Sequence, residues 1–187
     1  MYVEISPRQS GKTTRLIEAA TNYLRSNSDN TIAIITPTIV RAQEIKNKIV
    51  GIIGNKFESK IRIGSSVRYL EELTSINYYF FDDFSSIEPN KILVFGTNLI
   101  NGYYCTTPCG KRSTINMVVN NCHNNNIDIK FFNPWTELRI REQLGFDDYT
   151  REYVLNDWVR YMTSIGVDVT KLKENWFQKR LKKHKFV

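Results

Sequence analysis

Residues 6–14 read Ser-Pro-Arg-Gln-Ser-Gly-Lys-Thr-Thr and follow directly on the short apolar run Tyr2-Val3-Glu4-Ile5. A strand that turns through such a loop into a helix is what phosphate binding requires. Backbone N–H groups wrap the phosphates, a lysine reaches the terminal ones, a threonine hydroxyl binds Mg²⁺, and the helix offers its positive N-terminus. The candidates are Gln9, Ser10, Gly11, Lys12, Thr13 and Thr14, with ATP as ligand and Thr13 on Mg²⁺. Ser6 stands where the pattern has glycine. Thr14 to Leu24 is predicted to be the helix, with Leu16, Ala19, Ala20, Tyr23 and Leu24 on one face. The bland alternative is an ordinary strand-turn-helix with a chance Gly-Lys-Thr.

Strand-like and helical stretches alternate beyond the loop. Thr31–Thr36 is a continuous, mostly β-branched run, the pattern of a strand buried on both faces. Ile39–Ile49 is predicted helical, Lys60–Ile63 a strand, Val67–Leu73 a short helix and Tyr78–Phe81 a strand. Lys91–Gly96 is expected to be a further strand, Thr114–Asn121 a helix and Asp128–Phe132 a strand. This order predicts an α/β fold, a mostly parallel sheet flanked by helices of the phosphate-loop NTPase kind. After Pro134 only helical patterns follow, so the core is placed at 1–135 and a helical C-terminal extension at 136–187. In the extension Val154, Trp158, Met162 and Ile165 mark one helix face, read as packing.

Charge separates the two parts. Residues 171–187 carry seven Lys and Arg against the single Glu174, which is +6 of the chain's +7. Lys179, Arg180, Lys182, Lys183 and Lys185 are therefore the candidates for nucleic-acid contact. A solvated helix end, whose dipole also favours cations, is the alternative. The chain lacks an apolar stretch long enough for a bilayer, and Glu4 and Arg8 come too early for a signal peptide, so a cytoplasmic location is expected. Its bias toward Asn, Ile, Lys and Tyr is that of AT-rich genomes, phages among them. The 41% hydrophobic content suffices for a core.

A nucleotide site of this type needs an acid at the end of a buried strand facing the loop. Asp82 follows four aromatic residues and is placed to hold Mg²⁺; Asp83 occupies the position that activates the attacking water. Aspartate is also common at caps and turns. A polar residue at the tip of a neighbouring strand could sense the terminal phosphate. Thr97 and Asn98 fit by position, following Lys91–Gly96; Thr107, in Thr106-Thr107-Pro108, fits by residue type.

Arg8-Gln9-Ser10-Gly11-Lys12-Thr13-Thr14 resembles the loop of the ATPase half of phage large terminases, the DNA-packaging motors. Thr36-Pro37-Thr38, the aromatic strand into Asp82-Asp83 and Thr106-Thr107-Pro108 follow in the same order, so the resemblance spans about residues 2–135 and is shared in part with helicases. It implies that Arg8 acts in cis on the terminal phosphate and that Thr106-Thr107-Pro108 is the coupling triplet. The chain departs by beginning at the first strand without an upstream adenine-binding segment, by having Asp83 where the family has glutamate, and by ending before a nuclease domain. These departures point to a terminase-like ATPase module acting on DNA, as a homo-oligomer or with a viral partner protein.

Two other classes compete. A thymidine-kinase-like nucleoside kinase fits the size and the loop, but the paired CxxC zinc ligands of those enzymes are not found. A non-hydrolysing ATP-binding adaptor is kept open by Asp83. Cys105, Cys109, Cys122 and His123 lack a standard zinc spacing and are read as free thiols and a surface histidine.

Overall fold

The β-branched run of the second strand, β2 (Ile32–Ile35), is buried along its whole length. It lies between β3 (Ile61–Gly64) and β4 (Tyr78–Asp82), and all its pairings are parallel. The computed structural model describes residues 1–6, 9–67, 75–92, 99–107 and 112–131, together with 159, 160 and 163. The chain divides into two compact units, Met1–Phe132 and Asn133–Val187. The architecture that follows is that of the first.

Among the described residues six strands form one parallel sheet in the order β3-β2-β4-β5-β1-β6, where β1 is Tyr2–Ile5, β5 is Gly102–Thr106 and β6 is Ile129–Phe131. The chain is thus an α/β protein with an all-parallel sheet. Strand β5 pairs with both β1 and β4, which separates the loop strand from the acidic strand by one position. Among the described residues no helix is long and apolar enough to cross a membrane.

Helix α1 (Lys12–Ser26) and helix α2 (Ile39–Ile53) cover one sheet face. Leu16, Ala20 and Leu24 of α1 meet Ala42, Ile45 and Ile49 of α2 over Ile32, Ile34, Phe80 and Tyr103. Period-2 alternation sends Val3, Ile5, Ala33, Ile35, Phe81 and Tyr104 to the opposite face, where they are also buried. Helix α3 (Arg112–Asn124) brings Cys122 close enough to Tyr104 to help raise its hydroxyl pKa, after the larger effect of burial. Aromatic pairs tie neighbouring strands together on both faces, with Phe81 stacked on Tyr104 at 4.2 Å and Tyr2 on Tyr103 at 4.5 Å. Gly102 is required where β5 begins. A Cβ there would lie 2.5 Å from the Tyr79 carbonyl oxygen, inside contact distance.

The first two residues of the expected strand at Lys91–Gly96 are not in a strand. Pro89–Lys91 forms a 3₁₀ turn, which Pro89 starts by its fixed φ, and Ile92 follows outside the sheet. The strand beside the acidic strand is Gly102–Thr106 instead. Residues 93–98 lie outside the described residues, and so do the expected helix after Val67 and the C-terminal extension, except Val159, Arg160 and Thr163, which are helical.

Candidate functional site: a loop, two aspartates and a braced carboxylate

Ser6 ends β1 with its N–H bonded to the Thr106 carbonyl at 3.0 Å, so the loop starts from a fixed point beside β5. The chain then passes through two left-handed residues, Gln9 (φ 60°) and Gly11 (φ 79°), into α1. Alternating handedness turns successive N–H groups toward one side, the geometry of an anion nest. Gly11 is the N-cap of α1, no side chain caps it, and the first turn holds no acid. The donors of that turn and the helix dipole are thus left for an anion. Lys12 is half-buried, and its side chain makes no hydrogen bond or ion pair with a described residue. Ser10 and Thr14 flank it, Thr14 exposed. Arg8 lies outside the described residues.

Behind the loop stands Glu4, a fully buried carboxylate in β1. Arg15, one turn into α1, grips it with two bonds, Nη2 to Oε1 at 2.6 Å and Nε to Oε2 at 3.1 Å. The hydroxyls of Ser6, Tyr2 and Tyr103 donate to the same carboxylate. Burial opposes its ionisation, but the bonds from Arg15 and Ser6 outweigh that and hold its pKa below the ordinary value. The same cluster pushes the Tyr2 hydroxyl up to about 12, through burial first and then the Glu4 charge. Arg15 Nη1 also donates to the Ser10 carbonyl at 2.6 Å, and Ser10 Oγ donates to Ser6 Oγ at 2.9 Å. The loop is therefore laced from behind to a charge in the core. Ser6 replaces the expected glycine with a hydroxyl that joins this lacing.

In the parallel register Glu4 pairs with Cys105, and Cys105 with Asp82. All three fall in one row on the face under α1. The Asp82 side chain is buried and closes β4. Thr13 Oγ1 donates to its Oδ1 at 3.0 Å, across 69 residues of sequence. Arg41 Nε donates to Oδ2 at 3.3 Å, and Arg41 Nη2 lies 3.4 Å from Thr13 Oγ1. The Cys105 thiol points at Oδ1 from 3.4 Å, its pKa driven well up by burial and then by the Asp82 and Glu4 charges. Arg41 is aimed by Thr36-Pro37-Thr38. Thr36 Oγ1 bonds the Thr38 carbonyl at 2.6 Å, and Thr38 caps α2 by accepting from the Arg41 N–H.

Asp83 leaves β4 in a left-handed conformation, φ 54°, which swings its carboxylate toward β5. Thr106 Oγ1 donates to Oδ1 at 3.1 Å and Ser86 Oγ to Oδ2 at 2.7 Å. Thr106 is in turn fixed by the Ser85 N–H at 3.2 Å and by the Ser85 hydroxyl. Thr107 is buried beside it, its carbonyl 3.4 Å from Ser85 Oγ.

The structure thus brings together Thr13, Asp82 and Asp83 at one end of the sheet, with Thr106-Thr107 at the tip of the intervening strand. Thr97 and Asn98 lie outside the described residues, as do Pro108, Cys109 and the basic residues Lys179, Arg180, Lys182, Lys183 and Lys185. Four contributors, Glu4, Arg15, Arg41 and Thr106, are not among the individual site residues expected from sequence, although Thr106 belongs to the quoted triplet. A charge in the middle of an otherwise apolar strand was the available signal for Glu4. Arg41, on a helix turn after the capping threonine, carries none.

Thr13 Oγ1 and the buried Asp82 carboxylate are hard oxygen donors on one spot. Mg²⁺ takes one or two protein oxygens and fills its shell with phosphate and water, so these residues fit it. Cys105 and Cys122 are free and buried, and no group of three or more His, Cys, Asp or Glu among the described residues could hold a metal. No protein-family model matches the chain, and no curated protein or solved structure does.

Proposed function

We propose that this chain is a phosphate-loop ATPase of the terminase/helicase-like kind that binds Mg²⁺ and ATP and acts on DNA. The observation that carries the reading is the 3.0 Å bond between Thr13, the first-turn threonine of α1, and Asp82, the buried acid two strands away. A chance Gly-Lys-Thr has no reason to place its threonine on a strand-end carboxylate behind a left-handed loop.

In this reading the first-turn N–H groups of α1 and the Lys12 ammonium bind the phosphates. Thr13 and Asp82 hold Mg²⁺, which supplies charge neutralisation on the terminal phosphates. Asp83 orients the attacking water and takes its proton as the new bond to phosphorus forms and the bond to the ADP oxygen breaks. Thr106 donates to the oxygen next to that proton, so a change at Asp83 reaches β5 directly. The basic residues at 171–187 supply the attraction for the DNA backbone.

ATP turnover by the full chain is the test, with and without double-stranded DNA. Turnover that DNA raises and Lys12→Ala abolishes supports the reading. Tight ATP binding with no turnover in either condition contradicts it in favour of a non-hydrolysing adaptor. Phosphate transfer to a nucleoside contradicts it in favour of a kinase. Removing residues 171–187 is expected to flatten the salt dependence of DNA affinity; unchanged binding separates the tail from DNA.

A further inference from the structure

We propose that Arg41 holds the metal position in the nucleotide-free protein, so that the divalent cation enters only together with its nucleotide. This rests on the phosphate-loop reading above. Nε and Nη2 of Arg41 reach Asp82 Oδ2 and Thr13 Oγ1, the two residues assigned to the cation, at 3.3 and 3.4 Å. The guanidinium therefore supplies a positive charge where Mg²⁺ would supply two. The two cations repel at this separation, and the buried Asp82 offers only one negative charge to share. A free cation must displace Arg41 and shed water, which Mg²⁺ does reluctantly, with little gained in return.

A metal–nucleotide complex changes that balance. Its phosphates neutralise the metal and offer the guanidinium a bidentate partner. Arg41 also has somewhere to go. Nη1 is already paired with Glu44 at 3.0 Å on the exposed side of α2, and the Arg41 side chain is 40% exposed, so it can pivot off Asp82 while keeping one partner. Thr38 caps the first turn of α2, from which the Arg41 side chain extends.

The test is a titration of the full chain with Mn²⁺, followed by electron paramagnetic resonance, with and without a non-hydrolysable ATP analogue. Wild type is compared with Arg41→Gln and with the double variant Arg41→Gln/Asp82→Asn, and thermal melts check that each is folded. Arg41→Gln is expected to bind free Mn²⁺ about tenfold more tightly than wild type. The double variant is expected to lose that gain, and the analogue to bring wild type close to Arg41→Gln. Equal affinity of wild type and Arg41→Gln for free Mn²⁺ overturns the proposal. A gain that survives Asp82→Asn overturns it as well, because the ion then sits elsewhere. The phosphate-loop reading fails separately, if Lys12→Ala binds the analogue as wild type does.

Discussion

Glu4 and Asp82 are two buried carboxylates in the same register row, one on each side of Cys105, yet their surroundings differ in kind. Glu4 accepts five hydrogen bonds, two of them from Arg15, and its partners are themselves tied to the sheet and the loop. Asp82 is held by a threonine at the mouth of the loop, a weak thiol donor and an arginine that is 40% exposed. Every oxygen of Glu4 is committed to structure, whereas the strongest contacts of Asp82 are ones that can leave. A buried charge whose partners are permanent braces a fold; one whose partners are replaceable is a place for a ligand.

Disturbing the two buried charges is expected to have opposite outcomes. Asp82→Asn is expected to lower Mg²⁺-dependent turnover on the order of 10²- to 10³-fold, with a stability change below about 1 kcal/mol. A variant that unfolds instead, seen in a denaturant melt, places Asp82 with Glu4 as a structural charge. Arg15→Met is expected to destabilise the fold by about 3 kcal/mol, because it leaves Glu4 buried and unpaired. Partial exposure of Arg15, 32%, keeps this at the lower end for such pairs.

The Glu4 cluster also has a pH signature. Its carboxyl ionises more readily folded than unfolded, so its contribution is complete above the ordinary value of 4.5 and is lost as pH falls through the lower folded value. Denaturant melts of wild type and Glu4→Gln should therefore converge as pH drops from 7 into that range. A constant gap assigns the stability to packing.

Smaller changes sharpen the account at β5. Thr106→Val removes the donor to Asp83 and should slow turnover about tenfold while nucleotide affinity stays within about twofold. A matching loss of affinity would assign Thr106 to binding. Last, the Thr21 hydroxyl is buried without a hydrogen-bond partner. Thr21→Val should leave stability unchanged or raise it by up to about 1 kcal/mol, with activity intact.

Local periodicity made most of the sheet legible from sequence. The β-branched run at Ile32–Ile35 and the aromatic run into Asp82 announce strands by composition alone. The run beside the acidic strand, Gly102–Thr106, was not among the expected strands, whereas the more apolar run Lys91–Gly96 upstream of it was. Gly102 marks the pairing of β5 with β4, since a residue without Cβ tolerates the close approach of the Tyr79 carbonyl. The loop and the aspartate pair each stand out by a local pattern, although the two meet across 69 residues. The partners that give them character do not stand out. Arg15 to Glu4 and Arg41 to Asp82 span 11 and 41 residues, and Thr106 to Asp83 spans 23. Such pairings follow from strand order, which no short window contains.

The proposed ATP site has Thr13 and Asp82 at its metal end. Its most direct test is ATP turnover by the full chain with Mg²⁺, in wild type and Lys12→Ala, with and without double-stranded DNA. The account predicts turnover in wild type that increases with DNA and falls to background in Lys12→Ala. Turnover that is the same in both proteins, or absent from wild type with DNA present, would contradict it.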